Sequence, residues 1–207
     1  MSGKYMAYVG SYSYTGKAKG ITVFDVDVEN GMFKERCEIE VDNSSYVIAS
    51  SDGKTLYSIA DEGVVSFRIL PNGSLARLNS APIRGMRGCH LCTDEEDKYV
   101  FVSGYHDGKT TVLSLNPDGS VGKIVDGVFD RGYGSVAERN FRPHVTCTRR
   151  MPDNRFVLSV DNGIDQVKIY RFNDKEQRLV QVDAIRCELE SAPRHFRYSK
   201  DLSLIHI

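Results

Sequence analysis

Asp94-Glu-Glu-Asp-Lys-Tyr-Val-Phe-Val102 runs through His106-Asp-Gly108 into Thr111-Val-Leu-Ser-Leu115 and ends at Pro117-Asp-Gly-Ser-Val121. It reads as a charged turn, an apolar run, a glycine turn, a second apolar run and a Pro-Asp-Gly turn. Apolar residues alternate with period two, the spacing of strands rather than helices. The same order recurs upstream in Ser51-Asp-Gly-Lys-Thr-Leu-Tyr-Ser58, Asp61-Glu-Gly63, Val64-Val-Ser-Phe-Arg-Ile69 and Pro71-Asn-Gly-Ser-Leu75. It recurs downstream in Pro152-Asp-Asn-Arg-Phe-Val-Leu-Ser159, Asp161-Asn-Gly163 and Val167-Lys-Ile-Tyr-Arg-Phe172. Lys4-Tyr-Met-Ala-Tyr-Val9 with Gly20-Ile-Thr-Val-Phe-Asp25 is a fourth copy.

With Lys4, Lys54, Lys98 and Arg155 taken as equivalent, the steps are 50, 44 and 57 residues. A period of that size with this content matches one four-stranded propeller blade. The chain therefore reads as all-β, a β-propeller with about four blades present, near 4–45, 46–90, 91–142 and 143–190, and a fifth beginning at 191–201. Asn30-Gly31, Asp52-Gly53, Asn72-Gly73, Asp118-Gly119 and Asn162-Gly163 are expected to supply the positive φ of tight turns. The glycine-rich stretch 126–142 is expected to be an extended loop between blades. Little or no helix is expected.

Composition narrows the function. Twenty-seven Lys and Arg against 28 Asp and Glu leave a net charge of -1, without the positive surplus that phosphate-backbone binding needs, so nucleic acid is not the expected partner. The N-terminal apolar run is too short for a signal peptide and no stretch approaches a membrane span, so a cytoplasmic setting and no membrane partner are expected. Five cysteines at irregular spacing fit free thiols. Cys89-His-Leu-Cys92 lacks the second close ligand pair of a zinc site, so no metal is assigned. Asp25-Val-Asp-Val-Glu-Asn-Gly31 has its glycine one place late for a calcium loop and reads as a strand ending in a hairpin. No Gly-x-Ser-x-Gly elbow, phosphate loop or dinucleotide fingerprint is present.

Gly88-Cys-His90, Arg142-Pro-His144 with Met151-Pro-Asp-Asn-Arg-Phe156, and Ala192-Pro-Arg-His195 each precede a repeat. With these residues the chain, over about 4–201, resembles the lactonase family of seven-bladed propellers, which includes the propeller type of 6-phosphogluconolactonase and is related to carboxy-muconate cyclases. The resemblance implies seven blades and a carboxylic ester hydrolase that opens a small-molecule sugar lactone, 6-phosphogluconolactone to 6-phosphogluconate in the pentose phosphate pathway, without a cofactor. It carries His144 and Arg194 over as catalytic residues and His90, Arg142 and His195 as substrate-binding ones. The family usually has His-Pro-His where this chain has Arg142-Pro143-His144, and its glutamate on the next strand has no counterpart before residue 207. Residues 202–207 break the repeat's register and are expected to be a non-native tail, and the chain by itself is expected to be inactive.

The chemistry is consistent with those types. Lactone opening needs a base for water, a donor for the developing oxyanion and, for a phosphorylated substrate, a cation. A histidine titrates near neutrality and an arginine stays charged. A second reading has His90, His144 and His195 merely capping strands. A lactone-forming muconate-type cyclase and a non-catalytic binding platform are the alternative functions.

Overall fold

The computed structural model describes residues 5–134 and 142–202 and the backbone of 205–206. Seventeen strands and no helix occur among the described residues. The first sheet has three strands, β1 (Tyr5–Gly10), β2 (Gly20–Asp27) and β3 (Met32–Glu40). The next three have four each: β4 (Val47–Ala49), β5 (Thr55–Ile59), β6 (Gly63–Ile69) and β7 (Leu75–Pro82); β8 (His90–Thr93), β9 (Tyr99–Gly104), β10 (Lys109–Leu115) and β11 (Val121–Phe129); β12 (Val145–Arg150), β13 (Val157–Asp161), β14 (Gln166–Asn173) and β15 (Arg178–Arg186). A two-stranded piece, β16 (Arg197–Tyr198) with β17 (Ile205–His206), follows.

Every sheet is an antiparallel meander, as short glycine-bearing turns between period-two runs require. The repeat aligns β1 with β5, β9 and β13, so the first sheet lacks a counterpart of β4, β8 and β12 among the described residues. First strands pack on one another, β4 against β8 and β8 against β12, while last strands such as β15 lie at the exposed rim. The array is therefore a fan of blades, as the repeat predicts.

The core lies in the seams between blades. In β9 all six residues are buried, because the strand is covered on both faces. Val100 and Val102 point into the cluster shared with Tyr57, Ile59 and Val64 of the second sheet. Tyr99 and Phe101 point the other way, into the cluster with Tyr170, Phe172 and Leu179 of the fourth. Arg150, with a side chain 4% exposed, crosses the same seam to Asp94 at 3.7 Å and pairs within its own sheet with Asp174 at 2.8 Å. A buried hydroxyl group network, Ser103 to Thr148 at 2.9 Å and Thr110 to Ser159 at 3.1 Å, closes it further in.

Each second strand is introduced by the same turn. The amide of Gly53 donates to Ser50, that of Asp97 to Asp94 and that of Asn154 to Met151, and all three donors have φ between 50° and 68°. Gly31, Gly73 and Gly119 also show the expected positive φ, but Gly163 does not. The glycine there serves close approach instead: a Cβ on Gly163 would sit 1.9 Å from the carbonyl oxygen of Arg142 and 3.0 Å from the amide nitrogen of His144. The inter-blade stretch is also shorter than expected, since β11 continues to Phe129 with Val125 and Val128 packed on the seam cluster. Residues 135–141 of that stretch, and 203, 204 and 207 of the expected tail, lie outside the described residues.

Candidate functional site

The loops that lead into the first strands all emerge at one end of the fan, and there they enclose a cavity of about 660 Å³. Tyr46 comes from the loop before β4, Cys89 from the residue before β8, Thr146 from the start of β12, and Arg194 and His195 from the segment before β16. The turns joining second and third strands add Tyr105, His106 and Asn162, and Tyr12 closes the side nearest the first sheet. A cavity of about 610 Å³ lies on the rim between Pro82 and Phe129, but its buried cation, Lys109, is spent on the carbonyl oxygens of Ile83 and Arg84, both at 3.1 Å. The end cavity is the one in which cationic, imidazole and aromatic groups converge.

Arg194 and His195 are exposed and line it directly. His90 is fully buried behind them. Its ring lies 4.7 Å from that of Tyr46 and 6.2 Å from that of His195, and its Nε2 is 3.5 Å from the Cys147 thiol. Burial, with Arg149, His195 and Arg197 nearby, pushes His90 down to about 3, so the imidazole is neutral at pH 7. Burial raises the Cys147 thiol, so the pair is an uncharged contact and not an activated thiolate. Cys89, with its thiol pushed up to about 11 by burial, donates to the carbonyl oxygen of Val145. Among the described residues no group of three or more His, Cys, Asp or Glu is arranged to hold a metal ion, and all five cysteines are free.

His144 does not line the cavity. It is buried beneath Tyr105, with ring centroids 4.3 Å apart and planes at 15°, and its Nδ1 is 2.7 Å from the Tyr105 carbonyl oxygen. Its backbone amide donates to Asp161 Oδ1 at 2.8 Å, as does that of Gly163 at 3.0 Å. Arg142 is exposed, on the segment that Gly163 admits. The structure therefore brings together Arg194, His195 and, behind them, His90, while His144 reaches the cavity through Tyr105.

Two groups escaped the sequence reading. Tyr105 and His106 follow β9 directly, and their position at the end where the histidine-bearing loops emerge was the available signal. The other is a buried carboxyl pair, Asp130 and Asp161, neighbours across the seam, with the Tyr170 hydroxyl donating to Asp130 Oδ1 at 2.6 Å and Oδ2 of each aspartate buried without a partner. Burial drives Asp130 up to about 7 and raises Asp161 as well, so the pair retains a proton that two exposed carboxylates would lose.

His195 also falls below its ordinary value, through burial first and then through Arg194, Arg149 and Arg197. A neutral imidazole thus stands beside a permanent cation on the cavity wall, a pairing able to accept a proton and to face an anion.

Comparison with known proteins agrees with the blade geometry. The family model described as "Lactonase, 7-bladed beta-propeller" matches residues 6–207. The 6-phosphogluconolactonase of Bacillus subtilis is 31% identical over 201 residues, which cover 94% of this chain and 56% of that protein. The crystal structure of a proposed 6-phosphogluconolactonase from Bacteroides fragilis superimposes with a TM-score of 0.87 at 30% identity, over 96% of this chain and 59% of that one. The periplasmic gluconolactonase of Pseudomonas aeruginosa gives a TM-score of 0.87 at 24% identity, over 95% and 58%, a likeness of fold. The chain thus spans little more than half the length of the relatives it matches. Repeat, seam packing and the family match over residues 6–207 agree, and the chain belongs to the lactonase family of seven-bladed β-propellers.

Proposed function

We propose that the end cavity opens a sugar lactone by hydrolysis, with 6-phosphogluconolactone the substrate and 6-phosphogluconate the product, in the cytoplasm. The observation that carries this reading is the placement of Arg194 beside His195 on the cavity wall with His90 at its back. His195 takes a proton from water as the oxygen adds to the lactone carbonyl carbon. Arg194 faces the oxyanion, and collapse breaks the ring C–O bond while the proton held by His195 passes to the ring oxygen, leaving a hydroxyl and a carboxylic acid that releases its remaining proton to solvent as it becomes the carboxylate. His90, neutral and buried, backs His195, and Tyr105, propped by His144, forms the facing wall. This exchanges the roles expected of His144 and His195, because His144 is covered and its Nδ1 is engaged by a carbonyl. The names of the Bacillus and Bacteroides relatives support the substrate class, and five free thiols suit a reducing compartment.

The test is acid release from 6-phosphogluconolactone followed at constant pH, in a protein carrying these residues within all seven blades. Arg194→Ala and His195→Ala are expected to slow it by about 100-fold each with the fold intact. Rates unchanged in both variants would reject the assignment.

A further inference from the structure

The opposite end of the first strands carries a second concentration of positive charge. Arg149 near the end of β12, Arg197 on β16 and Lys200 in the turn after it line a cavity of about 350 Å³. Thr146 lines the first cavity and Arg149 this one, three residues or about 10 Å apart along one strand. The two cavities are therefore distinct.

What distinguishes these cations is that they stand outside the ion pairs formed among the described residues. Among the described residues no carboxylate forms an ion pair with Arg149, Arg197 or Lys200, whereas the adjacent Arg150 is tied to Asp94 and Asp174. The Nε of Arg149, like that of Arg150, is buried with no hydrogen-bond partner, but Arg149 also lacks the carboxylates that hold the rest of the Arg150 guanidinium. A buried donor on a charged group left unpaired is costly unless something outside the chain accepts from it. One carboxylate, Glu95, is among the lining residues, and the Ser199 hydroxyl is spent on Asp201 at 2.6 Å. Arg149 and Arg197 also depress His90 and His195, so their field reaches the first cavity.

We infer that this cavity is a binding site for a phosphate dianion, inorganic or as a small phosphate monoester, held by Arg149, Arg197 and Lys200. Two guanidinium forks and an ammonium suit a small tetrahedral dianion, and the cavity lies near the lower limit for ligand sites, too small for a nucleotide. The inference does not depend on lactone chemistry at the other end.

The test is titration of the folded chain with inorganic phosphate at low salt, by calorimetry or by the phosphorus resonance. Binding is expected to weaken by about tenfold in Arg149→Ala and in Arg197→Ala and to recover partly in the Arg→Lys variants. Strand signal in circular dichroism establishes that each variant is folded. Competition names the source: displacement by 6-phosphogluconate but not by gluconate assigns the site to a sugar phosphate, and failure of both to displace assigns it to free phosphate. Absence of phosphate binding to the folded wild type, or binding unaffected in both alanine variants, overturns the inference.

Discussion

Asp130 and Asp161 bring two buried carboxyl groups together across the seam between the third and fourth sheets, and each leaves its Oδ2 buried without a hydrogen-bond partner. The same Asp161 receives the amides of His144 and Gly163 on Oδ1, so one buried pair joins the blades and fixes the segment under Tyr105. Lys168, the nearby cation, is directed to the Arg131 carbonyl oxygen at 3.3 Å.

The first prediction concerns pH. Asp130 in the fold sits at about 7, against about 3.9 in an unfolded chain, so the native state binds the extra proton between those values. The stability it contributes is complete below about pH 4 and is lost as pH rises through 7. The carboxamide of Asp130→Asn cannot titrate. The wild-type melting temperature relative to this variant is expected to fall from pH 4 to 7 and then level. A flat difference would refute it.

His90 has the opposite sign. Its folded value near 3 lies below the ordinary histidine value, so the neutral form is favoured and its contribution is present above about pH 6.5 and fades as pH falls toward 3. In His90→Phe the acid side of the stability profile should flatten relative to wild type. The His90 ring protons should also show no titration between pH 5 and 8 by nuclear magnetic resonance.

Gly163→Ala and Gly31→Ala should differ in cause and size. At Gly31 the space is open and the cost is the left-handed backbone, about 1 kcal/mol. At Gly163 the new methyl collides with the backbone of Arg142 and His144, and a loss of about 3 kcal/mol is expected, as for overpacking of a tight interior. Denaturant midpoints at constant slope measure both.

Arg150→Ala should be the costliest of the surface-adjacent changes. It strands Asp94, whose side chain is 1% exposed, and a loss of about 3 kcal/mol or more is expected. Asp174→Ala removes the exposed partner and should cost less than about 1 kcal/mol. Equal effects would mean that Asp94 is stabilised by the amides of Lys98 and Tyr99 alone.

Strand positions were legible because they are local. The run Tyr99–Val102 declares a strand whatever surrounds it, and Asn72-Gly73 declares its turn. What could not be read was set by contacts between blades. Asp130 meets Asp161 and Ser103 meets Thr148 across 31 and 45 residues, a juxtaposition that depends on how two sheets stack and leaves no periodic trace. Gly163 shows the same limit, since the residues beside it suggest a turn while its need for glycine comes from Arg142. Among the site residues, Arg194 and His195 followed from the motif before the last repeat, but whether His144 faced the cavity or lay under Tyr105 was a matter of packing.

The division of β9 between two clusters has a consequence for how damage spreads. Val100 and Phe101 are chemical neighbours, yet truncating one loosens the second sheet's hold on the third and truncating the other loosens the fourth's. Hydrogen exchange would then report different partners opening for adjacent substitutions, with the joint between two sheets, and not the sheet itself, acting as the cooperative unit.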